Sequence, residues 1–105
     1  MSRGKRPRRS PNRCPTHPGA LLREIVLPAL PLSKTEFAKA LGVSRRTLMD
    51  ILAENQPVTP AMAVRLGWVF EHSPASWLNM QTAYDLWHAE RTVDTSKMRS
   101  LKLAS

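Results

Sequence analysis

Arg45, Arg46, Thr47 and Asp50 lie within one short stretch of the chain and have side chains suited to reading DNA bases. Arginine binds guanine through two hydrogen bonds in the major groove, and one such contact discriminates between bases by about 1–3 kcal/mol. Asp50 has three open roles: it accepts from a cytosine amino group, orients Arg46, or repels misplaced phosphates. The simpler alternative is a solvated Arg46–Asp50 pair, which contributes only about 0.2–0.5 kcal/mol. The elements around the arginines must therefore decide between these interpretations.

These residues follow a pattern that predicts two short helices joined by a tight turn. Ser33 precedes Glu36 by three residues, the spacing of a capping box, so a helix begins there. Gly42 permits the backbone conformation that ends this helix after Leu41. Ser44 is suited to cap a second helix. A helix, a short turn containing glycine and a second capped helix are typical of the DNA-binding helix-turn-helix.

The apolar residues of both helices recur at helical spacing and predict which sides are buried. The buried stripe consists of Phe37, Ala38 and Leu41 on the first helix and of Leu48, Ile51 and Leu52 on the second. At about 100° per residue, Arg46 and Asp50 then lie on the solvent side of the second helix, with Met49 beside them. Arg45 and Thr47 lie at the edges of that side. The arginine pair is therefore expected on the first turn of a recognition helix.

Three further helices are predicted from start signals and apolar spacing. His17-Pro18 opens the first, which Pro28 and Pro31 end. Thr59-Pro60 and Ser73-Pro74 each combine an N-cap with proline at the first helical position, and the last helix should reach about Glu90. The residues expected to face inward are Leu21, Leu22 and Ile25 on the first helix, Met62, Ala63, Leu66 and Phe70 on the fourth, and Trp77, Met80, Tyr84 and Trp87 on the fifth.

Large apolar residues remain after these inward faces are filled. They are Val64, Trp68, Leu78 and Leu86. A second burial surface of this kind predicts a self-association interface. A homodimer also suits DNA recognition, because symmetric dimers read paired half-sites about one helical turn apart.

Charge is concentrated at the two ends of the chain. Residues 1–16 carry a net charge of +6 with three prolines, residues 17–94 carry −1, and the last eleven residues carry +3. The sequence predicts a disordered basic tail over 1–16, a domain over 17–92 and a C-terminal tail over 93–105. The basic tail is expected to attract phosphates without sequence preference. The alternatives are a solubilising tail or residues added for expression.

Several function classes lack the residues they need. Cys14 is the single cysteine, so a disulfide framework is not expected, and its neighbour His17 adds too few ligands for a metal site. We find no nucleophile with a nearby base, no paired carboxylates and no phosphate-binding glycine loop, so neither an enzyme nor a cofactor is expected. Neither a secretory signal nor a membrane span is recognisable, so a cytoplasmic protein is expected.

Three segments together resemble the HigA family of antitoxins in the Xre-type helix-turn-helix group. They are HPGALLREIVLPALPLSKTEFAKALGVSRRTLMDIL, VTPAMAVRLGWVF and SPASWLNMQTAYDLWHAER, which span about residues 17–91. The resemblance implies an all-α, compact five-helix domain related to lambda repressor, acting as a homodimer. It also implies the antitoxin half of a type II toxin–antitoxin system, which neutralises a HigB-type mRNA endonuclease toxin and represses its own operon at inverted-repeat double-stranded DNA.

The resemblance also assigns candidate DNA-contacting residues. The predicted set is Lys34, Thr35, Ser44, Arg45, Arg46, Thr47, Met49 and Asp50. Lys34 and Thr35 would face phosphate at the start of the first helix of the motif. Two departures stand out. Ala53-Glu54 replace the usual Asn-Gly after the recognition helix, so Asn55 is expected to take the left-handed turn. Met49 replaces a small polar residue, which would alter base preference.

Two other functions stay open from the sequence. One is a stand-alone dimeric helix-turn-helix repressor without a toxin partner. The other is a protein-interaction module whose motif has lost DNA binding, which the acids Asp50 and Glu54 allow but the arginine pair disfavours.

Overall fold

A computed structural model describes residues 13–102 of the chain, and over this range it contains five helices and no β-strand. The prediction of disorder for the basic tail falls mostly on residues 1–12, which lie outside the described residues, as do 103–105. Helix α1 runs from Pro18 to Ala29. The others are α2 (Lys34–Leu41), α3 (Arg45–Leu52), α4 (Pro60–Phe70) and α5 (Pro74–Thr92). The all-α, five-helix prediction is confirmed, and α5 ends two residues beyond the expected Glu90.

The helices begin where the sequence predicts, because side-chain oxygens accept the first free N–H groups. Ser33 and Glu36 form both bonds of the capping box, at 3.1 and 2.8 Å. Ser44 Oγ accepts from the Thr47 amide at 3.0 Å. Thr59 and Ser73 cap α4 and α5 in the same way, each followed by proline. Local chemistry thus determines where four of these helices start.

A buried histidine, rather than a hydroxyl, caps α1. The Nδ1 atom of His17 accepts from the Gly19 amide at 2.8 Å, and the residue is 3% exposed. Burial lowers the pKa of His17 below its usual 6.5, which favours the neutral ring that can act as this acceptor. Its edge packs on the Tyr84 ring, so the cap also fixes α1 against α5.

One expectation about a helix end is wrong. Gly42 ends α2 with φ 73°, as predicted. After α3, however, the left-handed residue is Glu54 with φ 65°, not Asn55. The position is set by where α3 ends, since Glu54 follows the C-cap residue Ala53 directly.

The core joins all five helices and matches the predicted inward faces of α2, α3 and α4. Its fully buried members are Leu22, Phe37, Ala38, Leu41, Leu48, Ile51, Leu52, Val58, Met62, Ala63, Leu66 and Trp77. Phe70 is half-buried beside them. On α5, Trp77 is buried and Met80, Tyr84 and Trp87 are half-buried, as the predicted stripe requires. Gln81, which is 4% exposed, accepts from the Val58 amide at 2.8 Å and so fixes the loop before α4.

The inward face of α1 departs from the prediction at Ile25, which is 64% exposed. The cause is a π-helical turn at Leu22–Val26, in which the Leu27 amide bonds to the Leu22 carbonyl. The extra residue in this turn moves the buried stripe from Leu22 to Val26, which packs against the core. Pro28 explains the wide turn, because its ring would clash with the carbonyl four residues earlier in a regular helix.

The chain on either side of the helical domain differs in its packing. Cys14 and Pro15 are half-buried, and Cys14 Sγ lies 3.5 Å from His88 Nε2 on α5, so packing begins before the predicted boundary at His17. Residues 93–102 are exposed and contain no helix. Within residues 13–102 no helix is long and apolar enough to cross a membrane.

Helix α1 lies directly against the C-terminal half of α3. A Cβ atom added at Gly19 would overlap the Ile51 carbonyl oxygen. The absence of a side chain at this position is therefore what allows the two backbones to approach.

Replacing Gly19 with alanine should destabilise the fold by about 1–3 kcal/mol, because the new methyl group forces α1 away from α3. The direction of this change in the free energy of unfolding tests the packing, since glycine-to-alanine changes in helices normally stabilise by up to about 1 kcal/mol. Urea unfolding measures the effect. Thr82→Ala, at an exposed site on α5, is the control and should change stability by less than about 0.5 kcal/mol. A Gly19→Ala protein more stable than the wild type would contradict this packing.

Candidate nucleic-acid interface

The two helices of the motif are joined by a three-residue turn whose geometry is fixed by hydrogen bonds. The amides of Gly42 and Val43 bond back to the carbonyls of Lys39 and Ala38, both at 3.0 Å. Because the apolar stripe of α3 is buried in the core, its opposite side faces solvent. The fold therefore presents the first turn of α3 outward, as the predicted recognition helix requires.

The arginine pair lies on this outward side. Arg45 is exposed, and the Arg46 side chain is 86% exposed. Arg46 Nε lies 3.4 Å from Asp50 Oδ2, one helical turn away. Of the roles open to Asp50, this contact matches orientation of Arg46. An exposed pair at this distance contributes little stability, so it leaves the guanidinium accessible to a ligand.

The other candidate residues differ in what they offer. Lys34 and Thr35 are exposed on the first turn of α2. Ser44 Oγ and Thr47 Oγ1 lie 2.9 Å apart, and Ser44 also caps α3, so its first role is structural. Met49 is half-buried and packs against the core, so only part of its side chain is available to DNA.

Two arginines from neighbouring helices cap the C-terminal ends of the motif helices, and the sequence pattern did not single them out. Arg65 of α4 donates to the carbonyls of Leu41 and Gly42, at 2.9 and 3.2 Å. Arg23 of α1 donates to the Leu52 carbonyl at 2.6 Å. A cation near helical C-terminal carbonyls is favourable, because these groups have no partner within the helix. The available signal was Arg65 itself, the single charged residue in α4.

The predicted self-association residues divide into two groups. Val64 is 58% exposed, Trp68 81% and Leu86 55%. Leu78, in contrast, is half-buried and packs against the core, so less of its side chain is available to a partner. Val64 and Trp68 are one turn apart on α4 and border a shallow depression of about 250 Å³ that Leu41 and Arg65 also line.

The fold and the exposed arginines of α3 define a helix-turn-helix transcriptional regulator, and comparison with known proteins gives the family. No family model matches the chain. The chain is 40% identical over 84 residues to the uncharacterised helix-turn-helix regulator YddM of Escherichia coli strain K12, covering 80% of this chain and 88% of that one. It is 30% identical over 79 residues to antitoxin HigA-1 of Vibrio cholerae, covering 75% and 74%. The chain belongs to the HigA family of antitoxins.

A solved structure extends the likeness to a DNA complex. The antitoxin GraA in complex with its operator superposes with a TM-score of 0.73 and 35% identity, covering 97% of this chain and 99% of that one. The fold predicted from the resemblance is thereby confirmed for the helical part of the chain.

Proposed function

We propose that this antitoxin binds its own operator as a homodimer, represses transcription of that operon, and neutralises a HigB-type mRNA endonuclease. The observation that supports the DNA-binding part best is the outward arginine pair on the first turn of α3. The same fold in GraA occurs bound to its operator, which supports this assignment. In this proposal the protein acts in the bacterial cytoplasm, where its operator lies, and has a regulatory rather than a catalytic role.

In this proposal the residues divide the work of recognition. Arg45 and Arg46 contact base edges in the major groove, and Asp50 holds the Arg46 side chain in a limited range of orientations. Lys34 and Thr35, at the start of α2, contact backbone phosphates. Such contacts set the register of the protein without reading sequence.

Replacing Arg45 and Arg46 together with alanine should abolish operator discrimination while leaving the fold intact, since both side chains are exposed. We expect the ratio of affinities for the operator over a shuffled duplex to fall at least about fivefold, which corresponds to about 1 kcal/mol, the lower limit for losing one bidentate contact. Titration with duplexes covering the promoter upstream of its own gene measures this ratio.

The matched control is Lys97→Ala with Arg99→Ala, which removes the same charge from the exposed C-terminal segment. This control should weaken binding to both duplexes equally, because the lost contacts are electrostatic and not specific to sequence. An unchanged ratio in the Arg45/Arg46 variant would refute the assignment of α3 as the reading helix.

The toxin partner is tested by co-expression. We expect a gene adjacent to this one to encode a small protein that arrests growth when expressed alone. Co-expression of the wild-type chain should restore growth. The Arg45→Ala, Arg46→Ala variant should restore it equally well, because neutralisation is contact with the toxin rather than repression. If no neighbouring gene is toxic, the chain is a stand-alone repressor.

For the homodimer we propose an interface centred on Trp68 and Val64 of α4, which also includes Leu86 of α5. A tryptophan that is 81% exposed next to a second apolar side chain leaves a large apolar area in water. Aromatic residues of this kind are frequent energetic centres of protein interfaces. Leu78 would support the surface from within, since it packs against the core.

Trp68→Ala should shift the protein towards the monomer, with the dimer dissociation constant raised at least about thirtyfold, because truncation of a central aromatic costs about 2 kcal/mol or more. Sedimentation equilibrium measures the shift. Ile25→Ala, which truncates another largely exposed apolar residue, on α1, is the control and should leave the dimer unchanged. A Trp68→Ala protein that dimerises as tightly as the wild type would place the interface elsewhere.

A further inference from the structure

The residue that follows the recognition helix has an unusual backbone for its type. Glu54 has φ 65°, the left-handed conformation that glycine adopts most readily. This is also the position at which the chain carries Ala53-Glu54 instead of Asn-Gly. A contact that holds a glutamate here offsets part of the cost of this conformation, in which the side chain crowds the carbonyl.

The compensating contact comes from α1. Arg23 Nη1 donates to Glu54 Oε2 at 3.1 Å and to the Leu52 carbonyl at 2.6 Å. Its second terminal nitrogen, Nη2, donates to Glu24 at 2.8 Å. The hydrogen bonds to Glu24 and Glu54 raise the pKa of Arg23. One guanidinium therefore joins α1 to the last turn of α3 and to the strained residue after it.

We infer that Arg23 and Glu54 are positioning residues for DNA recognition, which set the orientation of α3 and hence of Arg45 and Arg46. Helix α3 has eight residues and is about 12 Å long, so a tilt at one end displaces the other. Its apolar stripe sets its depth in the core through packing, which is not directional. Rolling and tilting of the helix are the movements that such packing restricts least. The Arg23 contact restricts both, because it is directional and lies at the end opposite the arginine pair.

This inference rests on the proposed function, in which α3 reads the operator. It goes further, because it assigns part of the discrimination between DNA sequences to two residues that contact or follow the C-terminal end of α3 and lie away from the arginine pair. A merely structural role for the pair predicts that stability and discrimination change together. A positioning role allows them to change in opposite directions, and Glu54 provides that test.

Glu54→Gly removes the carboxylate and also relieves the left-handed strain. The midpoint of urea unfolding should therefore stay the same or rise. The ratio of operator affinity to shuffled-duplex affinity should nevertheless fall about fivefold, which corresponds to about 1 kcal/mol. Using the ratio cancels the general gain in DNA affinity that follows from removing a negative charge, since that gain is shared by both duplexes.

The chain offers a matched control in Glu71, which ends α4 with φ 56°. Glu71→Gly relieves the same kind of strain and removes the same charge, away from the Arg23 contact. It should leave the affinity ratio unchanged while raising or preserving the unfolding midpoint.

Arg23→Ala provides the second half of a double-mutant cycle. It should lower the affinity ratio at least as much as Glu54→Gly, because the Leu52 carbonyl also loses its donor. Combining the two changes should lower the ratio no further than Arg23→Ala alone, because residues that act through one contact are not additive.

The outcomes distinguish a failure of the proposed operator binding from a failure of the positioning role of Arg23 and Glu54. A wild-type protein that binds operator and shuffled duplex equally would refute the proposed function and this inference with it. A wild-type protein that discriminates, together with a Glu54→Gly variant of unchanged ratio or with strictly additive effects, would refute the positioning role alone.

Discussion

The contact between α1 and the end of α3 is the constraint on which the rest of the molecule depends. Gly19 allows the two backbones to touch at Ile51, and Arg23 joins them through the Leu52 carbonyl. His17 caps the start of α1 and packs edge-to-face with the Tyr84 ring of α5. Without this contact, one side of α3 would lose its support, and the outward direction of its first turn would no longer be defined.

The motif helices are too short to be stable alone, which explains why their ends are held from outside. Helices of eight residues are marginal in water even with good propensity, so tertiary contacts supply their stability. The core anchors one face of each, and arginines from α1 and α4 bind their final carbonyls. Both ends of the motif are therefore held by contacts from outside it.

The sequence predicts those features that depend on neighbouring residues. The caps at Ser33, Ser44, Thr59 and Ser73 and the turn at Gly42 follow from local chemistry, and the buried stripes of α2 and α3 follow from periodicity. The exposure of Ile25 does not, because it results from a π-helical turn that changes the period within α1. The Arg23 and Arg65 caps join residues 29 and 24 positions apart, beyond the reach of any local pattern. The DNA-contacting roles and the association surface stay predictions.

The side chain of Arg65 has a consequence for the DNA sites that a paired form can accept. It bonds the turn of the motif directly to the helix that also bears Trp68, with no flexible linker between them. In a dimer joined through the face around Trp68, the two recognition helices would therefore be held at one fixed separation. Inserting a few base pairs at the centre of an inverted repeat would then prevent the two recognition helices from binding at the same time, because the Arg65 contact holds each motif against the helix that bears Trp68.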